Sequence, residues 1–413
     1  MPAKSFFLIV FSVSFSLCIS QSLLLVPDRI FDGMEMHEGW QVLINGKTIE
    51  AVGLNVKAAP GTKIIVLKGQ TLMPGIIEGH AHILLHPYNE TPWNDQVLFE
   101  SQAERVVRAY THMQASLMAG ITTIRDLGTE GAAYADVGIK AAITKGVMTA
   151  PDLLCAGKAI VATGAYGPRS QAFEPPLGAE VADGSDVIKV VRDQIGHGVD
   201  LIKIYADYGW GNTGAAQPTF SIEEIKVMVE TAASAGMMVV AHATTKEGMR
   251  RAVLGGVKTI EHGDDGDREI FDLMKKNNVA FCPTLAAGEA VSSYRGWNKL
   301  TDPLPERIQK KHQSFKAALE SGVTILMGGD VGVFTHGDNV REMILMHEYG
   351  MPNLDIMKSS TSINANVFGL HDRGEIAQRK LADIIAVEGN PSLDMSLMKR
   401  VKFVMKNGVV VKE

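Results

Sequence analysis

The feature of this sequence that most restricts its fold is a regular alternation of short apolar runs with helical segments in its middle part. Eight such runs occur, in the order GIIEGHAH, ITTIRDLG, PDLLCAG, DLIKIYAD, MMVVAHA, KTIEHG, VAFCPTLA and VTILMGGD. Strands that alternate with helices pair in parallel, and eight of them predict an α/β fold, a (β/α)8 barrel of the TIM type. A doubly wound open sheet is the alternative, although no G-x-G-x-x-G pattern follows the first run.

The segments between the runs carry helix-boundary residues. Helices are expected from Gln102 to Ala119, from Ser221 to Ala235 and from Pro305 to Ser321. The second opens with the capping-box spacing of Ser221 and Glu224, and the other two are followed by a glycine that can end a helix.

Both ends of the chain have a different pattern, made of short strands and turns. The dipeptides Asn45-Gly46 and Asn407-Gly408 each separate two apolar runs and predict tight hairpins. We expect one small β-sandwich built from both termini, with residues 21–72 and 381–413, around a barrel over residues 73–380.

Residues 1–20 have the pattern of a secretory signal peptide. Lys4 precedes an apolar run over residues 6–17, and Cys18-Ile19-Ser20 gives small residues at the positions that a signal peptidase reads. The run is shorter than the ~20 residues of a membrane span. We expect an exported protein, periplasmic or secreted, that leaves the membrane after cleavage. A lipid anchor at Cys18 and a retained N-terminal anchor are the alternatives.

Charge and cysteine content narrow the range of partners. The net charge is −6, so nothing indicates binding to nucleic acid or to an anionic membrane. Cys155 and Cys282 lie in apolar runs and are expected to be buried free thiols, with one disulfide as the alternative.

A homo-oligomer is compatible with the sequence, which does not decide the oligomeric state.

Polar side chains stand in or at the ends of five runs, and in a parallel barrel the strand ends meet at one mouth. His80 and His82 are two positions apart, so both imidazoles face the same side of a strand and can bind one cation. An isolated H-x-H is a weak motif, and the joint placement is what predicts a metal site. The residues are His80, His82, Lys203, His242, His262 and Asp330.

Lys203 lies in a buried strand, between Ile202 and Ile204. A charged ammonium there is costly unless it is paired, so one interpretation pairs it with Asp126 or Asp207. The interpretation that we favour is a lysine carboxylated on its side-chain nitrogen, because a carbamate can bridge two cations that neutralise its charge.

From about Leu23 to its C-terminus, the chain resembles the binuclear branch of the amidohydrolase superfamily, with imidazolonepropionase-like proteins, Xaa-Pro dipeptidases and ochratoxin-degrading amidohydrolases. The segments LMPGIIEGHAH, TTIRDLG, LIKIYADYGWG, VVAHA, TIEHG and GGD carry this resemblance. It implies two divalent metal ions, with zinc as the usual metal and manganese or iron also compatible. By position, His80, His82 and Asp330 would bind the more buried ion, His242 and His262 the other, and carboxylated Lys203 both.

The ligand set predicts hydrolysis of an amide C–N bond by a hydroxide that bridges the two metals. Asp330 is expected to accept the proton and pass it to the leaving amine. The resemblance implies a small amide substrate, either a dipeptide of the Xaa-Pro type or an N-acyl amino acid. Candidate substrate-binding residues are Tyr205, Tyr166, Arg169 and His336, and Asp126 is a candidate to orient a ligand.

Two other functions stay open. A cyclic-amide hydrolase resembling imidazolonepropionase would be expected to use one metal and to lack the bridging lysine, so Lys203 argues against it. A non-catalytic binding barrel would be expected to have lost metal ligands, and none is missing here.

Overall fold

The computed structural model describes residues 22–167, 178–209 and 214–413. The predicted signal peptide and Arg169 lie outside the described residues. Within these ranges, no helix combines the length and the apolar character that crossing a membrane requires.

The described strands are numbered along the chain as follows: β1 (Leu23–Phe31), β2 (Met36–Glu38), β3 (Gln41–Asn45), β4 (Thr48–Gly53), β5 (Lys63–Pro74), β6 (Ile76–Ala81), β7 (Ile121–Asp126), β8 (Asp152–Cys155), β9 (Ile160–Val161), β10 (Glu180–Val181), β11 (Leu201–Tyr205), β12 (Asp207–Gly209), β13 (Ala216–Pro218), β14 (Met238–Ala243), β15 (Thr259–His262), β16 (Ala280–Cys282), β17 (Ile384–Glu388), β18 (Val401–Lys406) and β19 (Val409–Lys412).

The described α-helices are α1 (Trp93–Phe99), α2 (Gln102–Met118), α3 (Ala135–Thr144), α4 (Asp186–His197), α5 (Ile222–Ala233), α6 (Lys246–Gly255), α7 (Arg268–Lys276), α8 (Leu285–Tyr294), α9 (Glu306–Ser321), α10 (Val340–Glu348), α11 (Asn353–Lys358) and α12 (Asn364–Val367). A π-helical turn, Ser359–Ile363, joins the last two, and a 3₁₀ turn, Met395–Lys399, precedes β18.

The two ends of the chain form one sheet, which we call the terminal sheet. Its strand order is β19-β18-β17-β5-β1-β3-β4, with β2 also paired to β1. The termini join where β17 runs antiparallel to β5, with Ile384 opposite Pro74. This differs from the predicted sandwich, because all eight strands belong to one hydrogen-bonded sheet.

The terminal sheet curls until its two predicted hairpin turns meet. Asn407 and Gly408 have φ values of 51° and 75°, which a type I′ turn requires. A Cβ on Gly408 would lie 1.8 Å from the carbonyl oxygen of Gly46, at the other turn. Only glycine allows this approach, and the apolar faces of Leu25, Ile30 and other residues are enclosed within the curl.

The first seven apolar runs of the middle part are parallel strands, as predicted. β6, β7 and β8 form one parallel sheet, and β9, β11, β14, β15 and β16 follow each other in a second. Asp200 N donates to Cys155 O at 2.8 Å and so links the two sheets beside β8 and β11. The described chain is therefore a mixed α/β protein with parallel sheets and an added terminal sheet.

The eighth run is irregular and forms isolated bridges instead of a strand. On one side its Thr324 O accepts from Phe281 N of β16, and on the other its Asp330 N donates to His80 O, both at 2.8 Å. A Cβ on Gly328 would lie 2.6 Å from Cys282 Sγ, so the close packing there depends on glycine. The run connects the edge strands of the two parallel sheets although it lacks a regular ladder.

The predicted helix ends agree with the structure to within two residues. Ser221 accepts from Glu224 N while the Glu224 side chain accepts from Ser221 N, which is the predicted capping box. Gly322 ends α9 at φ 68°. Cys155 and Cys282 are both buried and free, which confirms the expected thiols.

Candidate active site

The polar side chains at the ends of the parallel strands come together at one end of the sheets, which we call the mouth. A cavity of about 440 Å³ opens there, and His82, His242, His262 and Asp330 are part of its lining. Parallel strands that all end on the same side bring these residues together from distant parts of the sequence.

At the base of the mouth, three ligand atoms converge. Asp330 Oδ1 lies 3.6 Å from His80 Nε2 and 3.4 Å from His82 Nε2. Both imidazole side chains are almost fully buried, as is Asp330, which is 8% exposed. These are the three residues that the sequence analysis expected to share one ion.

The other ring nitrogens of the two histidines are already engaged. His80 Nδ1 lies 2.9 Å from Glu261 Oε2, and His82 Nδ1 lies 2.8 Å from the Gly128 carbonyl oxygen. Both partners can only accept, so each Nδ1 carries the proton and each Nε2 presents a lone pair.

This arrangement fits a cation. His80 Nε2 and Asp330 Oδ1 are buried and have no hydrogen-bond partner within the described ranges. Two imidazole lone pairs and a carboxylate that face each other repel unless a positive charge lies between them. Histidine nitrogen and carboxylate oxygen are ligands that zinc and similar divalent cations accept.

His242 and His262 form a second part of the same cluster. Their ring centroids are 4.5 Å apart, and the His262 ring lies 5.0 Å from that of His80. Burial lowers the pKa of both imidazoles well below the ordinary value, and for His242 the Lys203 ammonium lowers it further. Both rings are therefore neutral near pH 7, the form that binds metal.

Lys203 points into this cluster from β11 and is 1% exposed. Burial lowers the pKa of its ammonium, whereas the carboxylates of Glu261 and Asp330 raise it. Among the described residues, no carboxylate oxygen lies within the 4.0 Å ion-pair distance of its Nζ.

The alternative ion pairs of Lys203 are not formed. Asp207 instead accepts from the backbone N–H of Thr244 at 2.9 Å and of Thr245 at 2.7 Å. Asp126 accepts from Ile83 N at 3.1 Å. Asp126 does not contact a histidine directly, so its predicted orienting role is reduced to holding the backbone that follows His82.

Two residues of the cluster are held in a strained backbone conformation. His262 has φ 77° and Asp330 has φ 63°, in the left-handed region that favours glycine. Such conformations cost roughly 1–3 kcal/mol and persist where the surrounding structure imposes them. Strain at two residues of one cluster indicates that their side-chain directions matter more than local stability.

A set of buried partners orients the cluster, and the sequence analysis missed it. Glu261, which contacts His80, also accepts from Arg125 Nη2 at 2.9 Å. Thr284 Oγ1 lies 2.8 Å from His262 Nδ1. Such contacts fix the orientation of metal-binding histidines. Glu261 directly precedes His262, but no spacing rule links it to His80, which is 181 positions away.

Cys282 lies near this set, which the sequence analysis did not expect. It forms a group of potential ligands with His80 and Glu261. Burial raises the pKa of its thiol well above the ordinary value, which disfavours the thiolate that binds metal. The carboxylate of Glu261 is already engaged by His80 and Arg125.

The predicted substrate-binding residues have different positions. Tyr205 and Tyr166 both line the cavity, with ring centroids 4.6 Å apart. Arg169 lies outside the described residues. His336 is not among the lining residues of the cavity: its ring stacks on His112 at 4.2 Å and its Nε2 bonds to Leu85 O at 3.0 Å. Its role in substrate binding stays a prediction. The short segment after Asp330 turns this side chain towards α2.

Several cavity residues were not identified from the sequence. Glu130, Trp93, Asp264 and Arg307 all line it. Arg307 Nε donates to Asp264 Oδ2 at 3.0 Å, which joins the start of α9 to the segment after His262. Glu130 follows the second apolar run closely, and that position at a strand end is the pattern that could have indicated it.

Comparison with known proteins gives a consistent result. The model of the "Amidohydrolase family" matches residues 71–411. An ochratoxinase of Aspergillus niger is 28% identical over 382 residues, which covers 83% of this chain and 75% of that protein.

Solved structures are similar over almost the whole chain. A Xaa-Pro dipeptidase with methionine in its active site is 29% identical, with a TM-score of 0.84 over 95% of this chain and 100% of that chain. A prolidase in complex with N-methylphosphonate-L-proline is 27% identical, with a TM-score of 0.83 over the same shares of the two chains.

Proposed function

Because this chain belongs to the amidohydrolase family and is a metal-dependent hydrolase of carbon–nitrogen bonds, we propose that it cleaves dipeptides, including Xaa-Pro dipeptides, or N-acyl amino acids. The observation that carries the proposal is the convergence of His80 Nε2, His82 Nε2 and Asp330 Oδ1 beneath the cavity. The similarity to a Xaa-Pro dipeptidase and a prolidase supports this substrate class. The proposal includes closure of the eight runs into one barrel.

The proposed metal centre is binuclear. His80, His82 and Asp330 would hold one ion, His242 and His262 the other, and Lys203 would bridge them in its carboxylated form. Zinc is the metal that we propose. No carboxylate of the described part of the chain forms an ion pair with Lys203, which supports the carbamate, because a buried ammonium without a partner is costly. Divalent cations at this place would polarise the scissile carbonyl and lower the pKa of water.

The chain's own groups carry the proton. Asp330 Oδ1 is directed at the centre of the cluster, where it can accept a proton from the attacking water and donate it to the leaving nitrogen. Its strained backbone and its hydrogen bond from Asp330 N to His80 O hold it there. Tyr205 and Tyr166 form part of the wall against which the substrate would lie.

The proposal also covers the cell compartment. Residues 1–20 would direct export to the periplasm or beyond and would be removed. A small amide substrate taken from outside the cytoplasm would then be hydrolysed there.

A substrate panel tests the activity. The chain from residue 21 onward, loaded with zinc, is expected to hydrolyse members of a panel of dipeptides and N-acyl amino acids, and chelator-treated protein is expected to be inactive. Metal analysis should find two ions per chain. Failure to cleave any amide in the panel would contradict the proposal.

A lysine variant tests the carbamate. Lys203→Ala is expected to lose activity, which short-chain carboxylic acids should partly restore by replacing the bridging oxygens. The matched control is Lys246→Ala, whose exposed side chain lies outside the cavity. Normal turnover in Lys203→Ala would exclude a bridging carbamate.

A further inference from the structure

Glu130 is a carboxylate in the cavity wall that the proposed chemistry does not use. Glu130 is 2% exposed, and its φ of 49° is an uncommon backbone conformation for a residue other than glycine. The conformation places the side chain over the mouth instead of towards solvent. A strained, buried acid beside a reaction centre calls for an explanation in terms of binding.

The carboxylate is held by three neutral donors. Trp93 Nε1 donates to Oε2 at 3.1 Å, Tyr166 OH donates to the same oxygen, and Tyr205 OH donates to Oε1 at 3.3 Å. An ionised carboxylate offers about four acceptor positions, so these donors leave room for one more.

No side chain of the described residues neutralises this charge by a direct ion pair. The Arg105 guanidinium contacts this segment, but its Nη1 donates to the backbone carbonyl of Glu130 and its Nη2 to that of Thr129. Burial raises the pKa of Glu130, and the hydrogen bonds from Tyr166 and Trp93 lower it. The charges of Arg105 and Lys203 also lower this pKa, and a ligand cation would supply the direct ion pair that the described side chains do not form.

The walls beside Glu130 are aromatic. The ring of Tyr166 lies 5.4 Å from that of Trp93, 4.6 Å from that of Tyr205 and 4.9 Å from that of Tyr208. Aromatic faces attract cations, and several of them around one carboxylate favour an ammonium group.

The distance to the metal cluster decides which ammonium fits. A Cβ on Gly128 would lie 3.4 Å from Glu130 Oε1 and 3.6 Å from His82 Cε1, so these two atoms are at most about 7 Å apart. In a dipeptide the α-amine is two bonds, or about 2.5 Å, from the scissile carbonyl carbon. An amine at Glu130 therefore leaves that carbonyl within reach of the cluster.

We propose that Glu130, with the aromatic faces of Trp93, Tyr166 and Tyr205, binds the free α-ammonium of a dipeptide, so that the substrate carries an amine next to the scissile carbonyl. This inference rests on the proposed function and decides between its two substrate classes. Dipeptides with a free N-terminus are substrates, and N-acyl amino acids without that amine are poor ones.

The wild-type protein provides the first test. The kcat/KM of the zinc-loaded protein is compared for alanyl-phenylalanine, N-propanoyl-phenylalanine, which lacks only the amine, and N-acetyl-alanyl-phenylalanine. We expect a decrease of about 10- to 100-fold for the two compounds without an ammonium, the usual scale of a charge-assisted hydrogen bond. Equal values for the first two compounds would overturn the inference. If none of the three is cleaved, a wider dipeptide panel with matched des-amino partners replaces them.

A second experiment tests whether Glu130 is the residue that binds the ammonium. Glu130→Gln keeps the shape of the side chain and removes its charge, so kcat/KM for the dipeptide is expected to fall about 10- to 100-fold. The kcat/KM for N-propanoyl-phenylalanine should stay within about twofold of wild type, because that compound has no ammonium group that Glu130 could bind. An equal loss on both compounds would mean a structural role and would overturn the inference.

Two controls keep the outcomes separate. Glu90→Gln removes an exposed carboxylate outside the cavity and should leave both substrates unaffected. If Glu130→Gln does not fold, Tyr166→Phe replaces it, because this variant removes one donor to the carboxylate. It should lower kcat/KM by a larger factor for the dipeptide than for N-propanoyl-phenylalanine, and equal factors for the two compounds would overturn the inference. Absence of hydrolysis across the whole wild-type panel contradicts the proposed function itself, whereas hydrolysis without amine preference contradicts only the role of Glu130.

Discussion

The terminal sheet and the mouth both contain buried side chains, but those of the terminal sheet are apolar and those of the mouth are polar or charged. The interior of the terminal sheet consists of apolar side chains such as Leu25, Ile30 and Phe403, each no more than 1% exposed. The mouth buries imidazoles, carboxylates and one lysine, and His80 Nε2 and Asp330 Oδ1 find no hydrogen-bond partner among the residues that the structure describes. Its backbone is strained at His262 and Asp330, whereas the positive φ angles within residues 22–72 and 381–413 fall on glycine and asparagine, which tolerate them.

Because of this difference, we expect the terminal sheet to contribute mainly to stability and the mouth mainly to activity. Apolar burial in the terminal sheet lowers the free energy of the folded state, so changes there should reduce stability. The mouth keeps desolvated charge and strain that oppose folding and that a bound cation and substrate compensate. Changes there should reduce activity or metal binding and leave the unfolding free energy similar or higher. Four variants test whether stability and activity depend on these two separate regions, and the strongest expected effect comes first.

Asp330→Asn should have the largest effect and should act on catalysis and metal binding, without a loss of stability. The amide cannot accept the proton, so kcat is expected to fall about 10²- to 10⁴-fold. Asparagine tolerates φ 63° and carries no buried charge, so the melting temperature should be equal or higher. Steady-state kinetics, metal analysis and thermal unfolding check these expectations. A wild-type kcat with wild-type metal content would remove Asp330 from its proposed role.

Phe403→Ala should have the opposite profile. Phe403 is 1% exposed in the interior of the terminal sheet, and its truncation is expected to lower the free energy of unfolding by about 3–5 kcal/mol. Denaturant unfolding measures this loss, and kcat/KM per folded molecule should stay at the wild-type value. A loss of activity in the folded fraction would show that the two regions are coupled.

Thr284→Ala tests the orientation of the metal cluster. Removing the hydroxyl next to His262 Nδ1 frees that ring, so metal affinity is expected to fall about 10- to 100-fold. Thr284→Ser is the matched control because it retains the hydroxyl, and it should restore most of the affinity. Competition with a chelator measures the effect. The same affinity in both variants would mean that the hydroxyl does not orient the ring.

Ser221→Ala should give the smallest effect and act on stability alone. It removes the capping box at the start of α5, which is worth about 1 kcal/mol of unfolding free energy. Ser185→Ala is the control, since Ser185 precedes α4 without a side-chain capping bond and should change stability less. Equal losses in the two variants would contradict the capping role.

Much of the local structure could be predicted from the sequence. The first seven apolar runs are strands, and the predicted limits of α2, α5 and α9 hold to within two residues. The eighth run was also located, but its irregular backbone was not, because it depends on how Gly328 packs against Cys282. The terminal sheet was predicted as a sandwich, since strand patterns do not specify whether the strands share one ladder or two.

Some residues of the candidate site could likewise be predicted from the sequence, and others could not. Strand periodicity and the common direction of parallel strands were enough to place His80 and His82 on one side and to group them with Asp330. The partners that orient this group, such as Glu261 and Thr284, could not be found, because they meet the histidines across large sequence separations. The stacking of His336 on His112 could not be predicted for the same reason.

The repeating strand–helix pattern and the identity of the residues at the strand ends can therefore be read from the amino-acid order, because both follow from periodicity over a few neighbouring positions. Only the tertiary structure decided that Glu130 faces the mouth among Trp93, Tyr166 and Tyr205. That arrangement depends on backbone angles and on packing between segments distant in the chain, which no local pattern encodes.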